Sequence, residues 1–161
     1  MQKITPCLWF DHEAEEAAKF YTSIFKNSKM GPVTRYGEAG ADGAGMPKGS
    51  VMTVTFEIAG QEFVALNGGP IFKFSEAISL MVKCETQQEI DEMWEKLSEG
   101  GEEGPCGWLK DKYGLSWQIV SPVWDDMLRD KDAEKPERVM KAILEMTKPD
   151  IKTITQAYNG M

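Results

Sequence analysis

Residues 78–101, ISLMVKCETQQEIDEMWEKLSEGG, hold the reading on which the fold turns. Ile78 to Cys84 is an apolar run of strand length, and Thr86 follows as a helix N-cap. Glu89 stands three residues after it, completing a capping box that satisfies backbone N–H groups of the first helical turn. Ile90, Met93, Trp94 and Leu97 then recur at the spacing of one helix face, and Gly100-Gly101 closes the helix. The stretch predicts a strand, a tight connection and an amphipathic helix whose stripe is core.

The same plan stands upstream. Ile4 to Phe10 is a short apolar run, Asp11 is the expected cap, and Ala14, Ala17, Ala18, Tyr21, Ile24 and Phe25 fall at helical spacing. Ala17, Phe20, Tyr21 and Ile24 overlie Ile90, Met93, Trp94 and Leu97 at one constant offset. After the first helix come Val33 to Tyr36, the alternating run Val51 to Phe56, a tight turn at Gly60, and Gln61 to Leu66. After the second come residues near Gly104 to Leu109 and then Leu115 to Val120, joined by Asp111-Lys112-Tyr113-Gly114, a hairpin turn with Gly where positive φ is wanted. Each half is therefore a strand, a helix and two or three antiparallel strands, an α+β chain built twice. The halves differ by an insertion, Gly37 to Gly49, read as a surface loop or as a mobile lid.

Beyond Val123 the pattern turns helical. Trp124, Met127 and Leu128 start a short helix, and Pro136 opens a second with Val139, Met140, Ile143 and Leu144. Lys148-Pro149 stops it, and Ile151, Ile154 and Tyr158 mark a last turn or two. This tail must dock its apolar stripe, on its own sheet or on a partner.

Composition narrows the classes. At 161 residues with 42% hydrophobic content, the chain is long enough to build a core without metal or disulfide staples. No apolar run approaches the roughly 20 residues of a membrane span, and no signal-peptide pattern opens the chain, so a cytoplasmic protein is expected. A net charge of −8 argues against nucleic acid or an anionic membrane as partner. Cys7, Cys84 and Cys106 are too widely spaced for a disulfide framework or a CxxC motif, and are expected as buried thiols. The one histidine, His12, lies among Asp11, Glu13, Glu15 and Glu16, a polar setting that reads as solvated rather than catalytic.

These residues resemble a known family. The runs Ile4-Thr5-Pro6-Cys7-Leu8-Trp9-Phe10-Asp11, Ala14-Glu15-Glu16-Ala17 with Phe20-Tyr21, Leu66-Asn67-Gly68-Gly69-Pro70, Leu97 to Gly101, Trp108 with Asp111 to Gln118, and Pro136 to Ala142 carry the likeness. The chain is similar to the PhnB-like branch of the vicinal oxygen chelate superfamily, the branch often labelled 3-demethylubiquinone-9 3-methyltransferase. The superfamily includes glyoxalase I, extradiol dioxygenases and the fosfomycin and bleomycin resistance proteins. The resemblance implies two tandem βαβββ units in a glyoxalase-like domain over 1–122, with unit one about 1–72 and unit two about 73–122. Residues 123–161 follow as a C-terminal helical tail.

The resemblance further implies a cup, with metal ligands pointing inward from set strand positions. By alternation, Ile4, Pro6, Leu8 and Phe10 face the helix, and Thr5, Cys7 and Trp9 face the cup. Ser79 and Met81 take the same places in the repeat, and Ser116 and Gln118 face inward from the last strand. The metal positions then fall on Thr5, Val64, Ser79 and Gln118, which offer no imidazole or carboxylate, so no metal is expected. S-adenosylmethionine, implied by the family label, finds no glycine-rich loop between a strand and a helix, so no cofactor is expected.

The function expected is binding of a small molecule of unknown identity, with Trp9, Thr53, Thr55, Asn67, Ser79, Met81, Trp108 and Gln118 lining the cup. The alternative is an enzyme of unknown reaction, of lyase, dioxygenase or transferase class, in the same pocket. A homodimer is expected, with the tail contributing to the contact.

Overall fold

The computed structural model describes residues 1–161. In chain order the elements are β1 (Cys7–Phe10), α1 (Ala14–Ile24), β2 (Lys29–Arg35), α2 (Glu38–Ala44), β3 (Val51–Ile58), β4 (Gln61–Asn67), β5 (Ser79–Lys83), α3 (Gln87–Ser98), β6 (Glu102–Glu103), β7 (Trp108–Lys110), β8 (Ser116–Val120), α4 (Pro122–Leu128), α5 (Glu134–Leu144) and α6 (Ile151–Tyr158). They form two compact units, Met1–Phe74 and Ser75–Met161. Each unit holds one four-stranded sheet, and the two orders, β1-β4-β3-β2 and β5-β8-β7-β6, are the same topology repeated. No helix is long and apolar enough to cross a membrane.

In the first unit the strand period of two sorts the side chains. Leu8, Phe10, Val54, Phe56, Ile58, Phe63 and Ala65 are buried, and they meet Ala14, Ala17, Ala18, Tyr21 and Ile24 of α1. The Tyr21 and Phe56 rings stack at 6.1 Å, and Phe56 stacks on Phe63 at 5.6 Å. Each such aromatic contributes roughly 1.5–3 kcal/mol by leaving water. Ala59 and Gly60, both at positive φ, make the two-residue turn from β3 to β4.

Three local expectations are corrected here. The first strand begins at Cys7, not Ile4, and Ile4 is 86% exposed. Pro6 has no N–H to give; its carbonyl accepts from Val64 N at 2.9 Å, and the ladder starts there. Asp11 does not cap α1: the helix starts at Ala14, whose N–H donates to Asn67 Oδ1 at 2.8 Å. The Gly37–Gly49 insertion contains the short helix α2, none of whose residues is buried. Tyr36 fastens its base, with its hydroxyl donating to Asn67 O at 2.6 Å.

The second unit repeats the core. Ile90, Trp94 and Leu97 of α3 are buried, as are their counterparts Ala17, Tyr21 and Ile24 in α1. Leu109, Leu115, Trp117 and Ile119 meet them from the sheet. Thr86 Oγ1 accepts from Glu89 N at 3.2 Å, and Glu89 Oε2 accepts from Glu85 N at 2.8 Å, so the capping box forms with its return bond one residue earlier. Asp111 is buried inside its own turn: Oδ1 accepts from Tyr113 N and Leu115 N, and Oδ2 accepts from Trp117 Nε1 at 2.9 Å.

The tail docks within the second unit. Trp124, Val139 and Ile154 form its core, whereas Met140 and Leu144, expected in the same stripe, are 40% and 62% exposed. Backbone bonds from Cys106 N to Met146 O and from Gly107 N to Thr147 O, at 2.8 and 2.9 Å, tie the tail to the loop before β7. The Gln87 side chain both donates to Pro149 O and accepts from Ile151 N, joining α3 to the start of α6.

Candidate functional site

Each sheet buries one face against its helix and leaves the other open. On the open face of the first unit, register places Cys7 beside Val64 and Thr55, and Trp9 beside Leu66 and Thr53. Three residues expected to line a cup, Trp9, Thr53 and Thr55, do share this face. The Trp9 indole N–H donates to Gly69 O at 2.9 Å, and its ring meets Phe72 edge-on at 4.9 Å. A Cβ on Gly68 would lie 2.2 Å from that ring, so the glycine makes room for Trp9. Thr53 Oγ1 is already hydrogen-bonded to Thr34 Oγ1.

Asn67 is a correction. It sits opposite Phe10 in register, on the helix-facing side with Ala65 and Phe63, and is buried. Its Oδ1 caps α1 and its Nδ2 donates to Val51 O at 3.1 Å, so its amide is committed to holding the fold. The expectation failed because it read the residue type and not the strand parity.

On the open face of the second unit, Ser79 lies beside Ser116, and Met81 and Trp108 both lie beside Gln118. Gln118 Nε2 donates to Ser79 Oγ at 2.9 Å, and Met81 is 59% exposed. Next to them is a cleft of about 510 Å³, lined by Trp108, Lys110 and Ser116 from the sheet face, the Glu102–Cys106 segment, Leu109 and Glu76. Of the expected residues only Trp108 lines it directly. Ser116, placed on the inward face by alternation but not chosen as a site residue, is 1% exposed, and its hydroxyl has no hydrogen-bond partner. Lys110 pairs with Glu76. Each responds: Glu76 beside the ammonium is held below the usual carboxylate range, and Lys110 is held above the usual ammonium value by the same bond. Glu103 accepts from Trp94 Nε1 at 2.9 Å. No sequence signal marked Glu76 or Glu102, because they come from a connection and an edge strand of two residues.

The donor set does not fit the superfamily's metal. Val64 has no donor atom, Thr5 precedes the strand, and the Ser79 hydroxyl already accepts the Gln118 amide. No group of three or more His, Cys, Asp or Glu residues is placed to hold an ion. His12 is 73% exposed at its side chain, beside Asp11 and Glu13. Of the cysteines only Cys84 is buried; Cys7 is exposed and Cys106 is intermediate, correcting the expectation of three buried thiols. Nor does S-adenosylmethionine find the glycine-rich loop of a parallel βαβ unit: the connection from β1 to α1 is Asp11-His12-Glu13, without glycine, and Gly37 after β2 opens only the exposed seven-residue α2, which leads into the antiparallel neighbour β3.

The sequence profile described as 3-demethylubiquinone-9 3-methyltransferase matches residues 2–120. The chain belongs to that family, the PhnB-like branch of the vicinal oxygen chelate superfamily. A putative 3-demethylubiquinone-9 3-methyltransferase, PhnB protein, from Bacillus cereus is similar at 40% identity and a TM-score of 0.65, over 74% of this chain and 99% of that one. Protein PA1353 from Pseudomonas aeruginosa shares the fold at 17% identity and a TM-score of 0.60, over 75% and 98% of the two chains. The fosfomycin resistance protein FosX from Listeria monocytogenes does so at 16% identity and a TM-score of 0.51, over 78% and 97%. No curated protein matches. The family match stops at Val120, so the tail's part in the resemblance lies outside it.

Proposed function

We propose that this family member binds a small organic molecule on the open face of its second sheet, in the cleft beside Trp108. The observation that carries the reading is Ser116, a buried hydroxyl in the cleft lining with no partner of its own. Buried polar groups are nearly always satisfied, and one left over is suited to a ligand's polar group. Trp108 adds an aromatic wall, and a volume of about 510 Å³ falls in the range of roughly 300–1,000 Å³ usual for small-molecule sites. Ser79, Met81 and Gln118 extend the same face.

Holding is favoured over turnover by the chemistry of the charged groups. Lys110 is engaged with Glu76, and Glu103 with Trp94. No base stands against the Ser116 hydroxyl, which an activated nucleophile needs. The family's name speaks of methyl transfer, and this chain's connections do not support it. A thermal-shift panel of metabolite-sized compounds tests the reading, followed by calorimetry on the hits. Binders of micromolar affinity that lose at least about tenfold in Trp108→Ala are expected. A panel without binders, or binders indifferent to that change, overturns it. Recovery of a bound compound chemically altered instead supports an enzyme of lyase, dioxygenase or transferase class in this cleft.

We also propose a homodimer. Ile78 and Met81 are 64% and 59% exposed, and apolar side chains so placed favour cover. With the tail docked on its own unit, its contribution narrows to Met140 and Leu144. A mass near that of one chain in light scattering at micromolar concentration overturns this.

A further inference from the structure

Within the binding reading above, on which this inference rests, we infer that the cleft selects amines: a protonated nitrogen on an apolar body, in preference to a carboxylate on the same body. The lining carries three glutamates, Glu76, Glu102 and Glu103, against one cation, Lys110. That cation is already bonded to Glu76, and Glu102 adds to the field that keeps it protonated. An incoming carboxylate would therefore compete with two resident carboxylates for one ammonium. An incoming ammonium meets the opposite situation. Glu102 is exposed and has room to turn toward it, the Trp108 face offers a cation–π contact, and Ser116 Oγ has lone pairs with no donor aimed at them. The net charge of −8 on the whole chain favours the approach of a cation. Ser116 is what separates this cleft from an ordinary acidic surface. It stands in register beside Lys110, its hydroxyl is buried and unpartnered, and an N–H donor of the ligand would complete it.

The test uses two matched probe series in calorimetry on the full chain: phenylethylamine, phenylethanol and phenylacetate, and octylamine, octanol and octanoate. The amine of each series is expected to bind at least about fivefold tighter than the alcohol, with the carboxylate weakest. Glu102→Gln is expected to remove most of that preference, the amine losing several times more affinity than the alcohol. Ser116→Ala is expected to weaken amine binding severalfold. It should leave the midpoint of thermal unfolding equal or higher, since it deletes an unsatisfied hydroxyl. Should the carboxylate or the alcohol match the amine in both series, with binding still sensitive to Trp108→Ala, the amine preference is wrong and the binding site stands. Should no probe of either series bind, or should Trp108→Ala and Ser116→Ala both leave binding untouched, the cleft is not the site, and this inference falls with the reading beneath it.

Discussion

Gln118 donates from Nε2 to Ser79 Oγ at 2.9 Å across the parallel pair of β8 and β5. The family resemblance implies metal-ligand positions at these two residues of the second unit, and here an amide and a hydroxyl answer each other. The pair is neutral, so neither member brings the negative charge that a divalent cation wants. Elemental analysis after dialysis without chelator is expected to give far less than one equivalent of Zn, Ni, Mn or Fe. One equivalent per chain would mean that other donors had been gathered.

Asp111 holds the β7–β8 turn from inside. Its carboxylate accepts from two backbone N–H groups and one indole N–H while only 2% exposed. Asp111→Ala leaves those donors without their acceptor and is expected to destabilise the protein by about 3 kcal/mol or more. Urea unfolding followed by tryptophan fluorescence reads the loss. A midpoint unchanged from wild type would show that water replaces the carboxylate at no cost.

What the sequence made legible was periodic and local. The stripes of α1 and α3 at one constant offset, the cap at Thr86 and the turn at Asp111 each depend on neighbours within a few residues. All three stand in the structure, alongside a sheet order that repeats between the two units. The losses have one physical character, which is distance along the chain. Asn67 caps a helix that begins 53 residues before it, and no local pattern announces such a bond. The cleft gathers Glu76, Trp108 and Ser116 from separate segments, so its charge balance emerges only on folding. Strand parity sets Asn67 on the helix side with Phe63 and Ala65, against what its residue type suggests, and it sets Ser116 on the inward face, where the hydroxyl stands unpartnered.

Cys84 is fully buried, and its thiol is pushed from 9.0 up to about 12, first by burial and then by the charge of Glu89. The sign follows from which state holds the proton. Between pH about 9 and about 12 the unfolded thiol ionises while the folded one stays protonated. The site's effect is therefore absent below pH about 9, and above it stability falls as pH rises. Comparing urea midpoints of wild type and Cys84→Ala across this range isolates the effect: the variant is expected to lose less stability per pH unit. At pH 8, iodoacetamide should label Cys7 in the native protein and leave Cys84 unmodified, as read by peptide mass spectrometry. Native labelling of Cys84 would contradict its burial.

Gly107 joins the second sheet to the tail, and it permits no side chain. Its φ is +83°, and an added Cβ would lie 2.5 Å from Ile119 O and 3.1 Å from Pro149 Cγ. Its N–H donates to Thr147 O at 2.9 Å, and its carbonyl accepts from Ile119 N at 2.8 Å. One residue thus bonds β8 on one side and the segment before α6 on the other. Gly107→Ala meets the left-handed backbone penalty of roughly 1–2 kcal/mol and two overlaps, one of them with backbone that cannot swing aside. A loss of about 2 kcal/mol or more is expected, together with faster hydrogen exchange over residues 146–154, where the tail rests on this loop. If exchange there matches wild type while global stability falls, the strain is taken up in the sheet, and the Cys106 bond to Met146, the Gln87 bonds and the Lys148–Asp91 pair suffice to hold the tail. A control at Gly114, also at positive φ but with no atom within 4 Å of an added Cβ, should show the backbone penalty without the exchange change.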